Sequence, residues 1–147
     1  MAWSSPKTWV PDVPLTAAEM NQYVRDNTLA LYPTWTHWTP TFTGFSANPT
    51  AVIARYVLIG KMCYVNVYMG NAGTSNANTF TVSAPFPAAV IANTSCPARD
   101  GGTNIATGQV EIRAGESSFR LLILGSTSNW TTSGEKRARF QIFYEVA

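Results

Sequence analysis

From Lys61 to Met69 the side chains alternate with a period of two. Cys63, Val65, Val67 and Met69 fall on one face, and Met62, Tyr64, Asn66 and Tyr68 on the other. Only an extended strand sends every second residue to the same side, so this run belongs in a sheet with one face toward a core. The period returns at the C-terminus. There Ala138, Phe140, Ile142, Tyr144 and Val146 share a face, opposite Arg137, Arg139, Gln141 and Glu145, with Phe143 as an exposed or interface aromatic. Val52 to Leu58 precedes the first run across Ile59-Gly60 and makes the clearest hairpin. Ile105 to Arg113 and Ser118 to Leu124 predict a second hairpin around Ala114-Gly115-Glu116. Trp35 to Phe45 reads as a first strand, and Thr79 to Ser83 as a short one ended by Pro85 and Pro87. Asn93 to Asn104, with Pro97, Asp100, Gly101 and Gly102, reads as loop, and Gly125 to Gly134 as a polar connection carrying Trp130. Roughly seven or eight short strands at this spacing predict a mainly-β fold over residues 34–147, an antiparallel β-sandwich of the jelly-roll kind.

Residues 1–33 follow a different rule. Trp9, Val10, Pro11, Val13 and Pro14 predict an extended arm, because a proline pushes the residue before it away from helical geometry. Thr16 and Glu19 have the spacing of a reciprocal capping box, with Leu15 at the staple position facing Met20. No glycine or proline interrupts the chain from there to Tyr32, and Pro33 is the expected stop. Ala17, Met20, Val24, Thr28 and Leu31 make an apolar stripe that Tyr23 widens, while Glu19, Gln22, Arg25 and Asp26 face elsewhere. A helix of about four turns is marginal alone, so the stripe needs a partner. That partner is its own β domain, the same helix of sister subunits, or a larger structure.

Charge leaves two readings, a surface covered by sister copies or neighbours, or one kept polar by Thr and Asn. Charged residues make up 12% of the 147, about half the usual share for a soluble domain, and the net charge is +2. So few charges protect a lone monomer poorly against self-association. The cluster Lys136, Arg137 and Arg139 lacks the interleaved stacking aromatics of a nucleic-acid surface and reads as a solvated strand face or strand end. No apolar run is long enough for a membrane-spanning helix, and the opening Met-Ala-Trp-Ser-Ser lacks the basic start and apolar core of a secretory signal. The chain is therefore expected to assemble in a cytoplasm, with no membrane insertion and no nucleic-acid partner.

The stretch Thr8-Trp9-Val10, then Pro14-Leu15-Thr16-Ala17-Ala18-Glu19-Met20-Asn21, then Arg25-Asp26-Asn27 and Leu31, resembles the N-terminal signature of tail-associated and other minor structural proteins of tailed bacteriophages and prophages. Ala54-Arg55-Tyr56, the turn Ile59-Gly60-Lys61 and the Val65–Val67 strand are similar to that family's β modules. The resemblance implies an oligomeric virion component, trimeric by preference, held to other virion proteins by its arm and helix while the β domain projects outward. The assembly residues expected on this reading are Trp9, Met20, Tyr23, Val24 and Leu31, with Arg25 and Asp26 as intersubunit polar contacts.

Catalytic chemistry is sparse. His37 is the only histidine, and a lone histidine supplies neither a multi-histidine metal site nor, without a positioned nucleophile, a triad. Asp100, Glu111, Glu116 and Glu145 are scattered, and Gly101-Gly102 lacks the lysine-serine ending of a phosphate loop. No catalytic residue, metal ligand or cofactor is therefore assigned. Cys63 reads as a small core residue, and a disulfide to Cys96 is left open. The alternative function is a carbohydrate-binding module for host-surface glycan, with Tyr68, Asn129 and Trp130 as the sugar platform, Trp130 reading otherwise as an anchor that packs a long loop.

Overall fold

Two-residue periodicity becomes eleven antiparallel strands in a computed structural model that describes residues 4–32, 34–123 and 130–147, the side chains of 105–107 excepted. In chain order these are β1 (Thr36–His37), β2 (Phe42–Thr43), β3 (Phe45–Ala47), β4 (Val52–Ile59), β5 (Met62–Met69), β6 (Gly73–Ser75), β7 (Phe80–Ser83), β8 (Ala92–Asp100), β9 (Thr103–Ile112), β10 (Ser118–Ile123) and β11 (Gly134–Glu145). They form one sheet in the order β1-β4-β5-β11-β8-β9-β10-β7-β2, with β6 on β11 and β3 on β6. The fold is mainly β and antiparallel, a curled half-barrel preceded by one short helix.

The curl follows from which strands touch across the core. Along the sheet, β10 lies three strand spacings from β11, about 14 Å. Yet Phe119 of β10 packs edge-on against Phe140 and Tyr144 of β11, with ring centres 5.2 and 5.8 Å apart. The sheet must fold back to allow this. Cys63, Val65, Val67 and Met69 are fully buried, as their alternation requires, and they meet Val82, Val110, Ile112, Phe119 and Leu121 in a single core. Ala138, Phe140, Ile142 and Tyr144 point inward as expected.

Gly44 brings the two ends of the curl together. The expected Trp35–Phe45 strand is interrupted, because Pro40 donates no ladder bond and Gly44 takes φ +82°. A Cβ there would sit 2.2 Å from the Thr79 carbonyl. The bend directs β2 onto β7 and β3 onto β6, so pairings run from β11 through β8, β9, β10 and β7 to β2, and from β3 through β6 back to β11, with the chain at Gly44 joining the two paths.

Asn93–Asn104 is corrected from loop to hairpin. β8 pairs with β9 from Ala92↔Ile112 to Asp100↔Thr103, and Gly101-Gly102 is its two-residue turn. Both glycines have positive φ, +57° and +82°, the combination that suits the right-handed twist of the strands. Pro97 is tolerated because the register shifts between Cys96 and Ala98, where a missing donor breaks no ladder. Cys96 is consequently a buried strand residue. Both thiols are free, and burial pushes the Cys96 thiol up to about 11.

Lys136 is a further correction, being fully buried instead of lying on a solvated face. Its ammonium stands 2.6 Å from Asp100 Oδ1 and donates to Thr131 Oγ1 and the Ser133 carbonyl, both at 2.8 Å. The register Lys136↔Asp100 between β11 and β8 sets the pair face to face.

Candidate assembly surface

The predicted helix begins where its cap requires. The Thr16 hydroxyl accepts from Glu19 N–H at 3.2 Å, and Glu19 Oε2 accepts from Thr16 N–H at 2.9 Å. α1 (Ala17–Met20) runs into a π-helical segment, Asn21–Arg25, and then α2 (Asp26–Ala30). The Asp26 N–H donates to the Asn21 carbonyl, five residues back instead of four. One residue is thereby inserted into the turn, and the register beyond it advances by one. Leu29 takes the place on the stripe that an unbroken α-helix gives Thr28. That corrects the expected stripe.

The arm folds back along the helix instead of extending from it. Asp12 adopts φ +61°, which aspartate tolerates, and reverses the chain at Pro11-Asp12. Three contacts then hold the arm to one row of the helix. Lys7 pairs with Glu19, Trp9 packs edge-on against Tyr23 at 6.2 Å, and Asn27 exchanges hydrogen bonds with the Ser4 backbone. Asn27 also donates to the Tyr23 carbonyl at 3.2 Å and is buried. Lys7, and then the Thr16 cap, hold the Glu19 carboxyl at about 2, well below its ordinary 4.5.

The rest of the helix is open. Met20 is 42% exposed, Val24 44%, Leu29 46% and Leu31 56%, and no described residue of the arm or helix enters the core. Of the residues expected at an assembly interface, Met20, Val24 and Leu31 therefore present free apolar surface. Trp9 and Tyr23 are partly used in clamping the arm. Arg25 and Asp26 pair with each other at 2.8 Å on the exposed side. Leu29, Lys7, Ser4 and Asn27 were not among the expected residues. Asn27 stood in the Arg25-Asp26-Asn27 motif, which was its only signal.

A second exposed face lies outside β5 and β11, where four cross-strand pairs stand side by side: Met62/Glu145, Tyr64/Phe143, Asn66/Gln141 and Tyr68/Arg139. Tyr64 and Phe143 stack at 4.3 Å with planes 10° apart, and Trp35 tilts onto Tyr64 at 5.3 Å. Arg55 lies over Trp35 at 4.5 Å, and Arg139 over Tyr68 at 4.2 Å.

The expected sugar platform does not come together. Trp130 is 3% exposed. Its indole N–H donates to the Leu121 carbonyl at 2.8 Å and its ring packs on Phe80 at 4.9 Å, so it has no face to offer a ligand. Tyr68 is exposed on β5. Asn129 lies outside the described residues, as does Pro33, the expected helix stop. Among the described residues no group of three or more His, Cys, Asp or Glu is placed to hold a metal, and no helix is long and apolar enough to cross a membrane. In comparisons with known protein families, curated proteins and solved structures, nothing matches the chain.

Proposed function

We propose that this chain is a non-enzymatic structural component of a tailed-bacteriophage virion, a trimeric appendage of the tail, baseplate or capsid surface. It is assembled in the bacterial cytoplasm and held to its neighbours by the N-terminal arm and helix. The observation that carries this reading is the stripe Met20–Val24–Leu29, apolar and open along a helix too short to stand alone, with Leu31 exposed at its C-terminal end. Covering four half-exposed side chains contributes about 1 kcal/mol each. Association costs about 4 kcal/mol or more before any gain appears, so one stripe is not sufficient. The arm, the Trp35–Tyr64–Phe143 row, or the three-fold repetition of the contact supplies the remainder. In this proposal the curled sheet acts as a jelly-roll-like sandwich, with β4, β5 and β11 as one leaf and β9, β10 and β7 as the other.

Light scattering on the full chain tests the reading, beside Leu31→Asp and a chain beginning at residue 34. A trimer that Leu31→Asp reduces to monomer, with unfolding of the β domain unchanged, is the expected result. A full-length monomer that does not enter particles would overturn it. A second reading, carbohydrate binding in host-surface recognition, gains support from one place only, the exposed Tyr68 beside the polar Asn66/Gln141 pair.

A further inference from the structure

β8 and β11 are neighbours for only three residue pairs, Lys136↔Asp100 to Ala138↔Ala98. Beyond Ala98 the chain reaches Pro97, which has no N–H to offer, and the register against β9 shifts at the same point. β8 leaves β11 there, and the fork opens a cleft of about 440 Å³. Its polar lining is Asn66 and Tyr68 from β5, Thr94 and Ser95 from β8, and Arg139 and Gln141 from β11.

The chemistry of that lining is specific. Asn66 and Gln141 face each other in register, and neither amide is used in a hydrogen bond to the described residues. Each amide offers an acceptor and two donors, which matches paired hydroxyls on a sugar ring. Arg139 is held from two sides: its guanidinium lies on the Tyr68 ring, and its Nε donates to the Met69 carbonyl at 3.4 Å. Both terminal nitrogens remain available, and no ion pair among the described residues includes Arg139. No carboxylate lines the cleft. An oriented guanidinium without a carboxylate, beside two amides and two hydroxyl side chains, suits a polyhydroxylated ligand that carries an anion. The volume lies within the range of small-ligand clefts and admits one or two sugar rings.

We infer that the β8–β11 fork is a binding site for an acidic saccharide, with Arg139 on the sugar carboxylate and Asn66 and Gln141 on its hydroxyls. This deepens the second functional reading and is independent of assembly through the helix. Tyr68 holds the guanidinium in place, which gives this exposed ring a role that needs no help from Trp130.

The experiment is an amide-resolved NMR titration of the full chain with glucuronate, glucose and inorganic phosphate in parallel. Glucuronate is expected to give saturable shifts at residues 66, 68, 139 and 141, with glucose and phosphate each about tenfold weaker or more. Arg139→Gln is expected to weaken glucuronate about tenfold while leaving the spectrum folded. Should that variant lose its fold, Gln141→Ala, an outward-facing change, carries the same test. Phosphate binding as tightly as glucuronate would reduce the site to an anion cradle and overturn the proposal. Glucose binding as well as glucuronate, untouched by Arg139→Gln, would also overturn it but leave general carbohydrate binding standing. Saturable shifts confined to another surface, or no shifts with any probe, would remove the cleft as a sugar site. The helix-mediated trimer is judged separately by light scattering.

Discussion

Asn27 and Ser4 exchange two hydrogen bonds across 23 residues of sequence: the Asn27 carboxamide accepts from the Ser4 N–H at 3.0 Å and donates to the Ser4 carbonyl at 2.9 Å. An amide side chain that bonds both the N–H and the C=O of one residue acts like the edge of a β-strand. It fixes the arm's position along the helix as well as its proximity. Asn27→Leu removes both bonds and leaves the Ser4 peptide to solvent. The expected loss is about 1–3 kcal/mol of arm docking. Hydrogen exchange at residues 4–10 should rise by a matching factor while exchange in β5 and β11 stays unchanged. Unaltered arm protection would show that Lys7 and Trp9 hold the arm without the clamp.

Acid should release the same arm. The Glu19 carboxyl is held at about 2 in the folded chain, against an ordinary 4.5. A depressed folded value means that the contact is at full strength above pH 4.5 and is lost as pH falls toward about 2. Trp9–Tyr23 contact, followed through arm hydrogen exchange or nuclear Overhauser effects, should weaken across that window. Glu19→Gln should flatten the response. A pH profile identical in the two proteins would assign the effect to another group.

Breaking the Lys136–Asp100 pair should cost far more than breaking a surface pair. Lys136 is fully buried, so Asp100→Asn leaves its charge without a counter-ion, and the expected loss is about 3 kcal/mol in denaturant unfolding. Lys136→Met combined with Asp100→Asn should recover much of it, because the uncompensated charge is gone. Burial opposes ionisation of Asp100, but Lys136 and Thr131 outweigh it and hold the carboxyl below its ordinary 3.8. Its contribution is therefore present above pH 3.8 and disappears as pH falls through the lower folded value.

Trp130→Ala should destabilise the β domain and not act as a ligand-binding lesion. It empties the space beside Phe80 and strands the Leu121 carbonyl, at a cost of about 3–5 kcal/mol. Trp130→Phe keeps most of the volume and should recover more than half of the loss. A Trp130→Ala protein of unchanged stability would contradict the buried anchor.

What was legible in the sequence was local. The faces of β5 and β11 follow from backbone geometry alone, since successive residues of a strand point in opposite directions whatever the neighbouring strand is. The capping box needs only Thr16 and Glu19, three residues apart, and both hairpin turns chosen from sequence lie between strands adjacent in the chain. The misreadings began where a distant partner decided the outcome. Pro97 and two glycines look like loop residues until β9 supplies a ladder with a register shift at the proline. Trp130, in a polar connection, reads either as a loop-packing anchor or as part of a sugar platform. Phe80 and the Leu121 carbonyl make it a core residue. Lys136 looks solvated in its basic cluster, and only the β11–β8 register gives it Asp100.

By itself, then, the sequence determined the periodicities, the helix start and the division between arm, helix and sheet, because each depends on torsions and contacts within one turn or one strand. Tertiary structure decided the curl closed through Gly44, the arm clamped by Asn27, the buried ion pair and the cleft at the β8–β11 fork. Each of these joins residues far apart in the chain. Their free energy depends on which strands become neighbours, a choice made by the packing of the whole core.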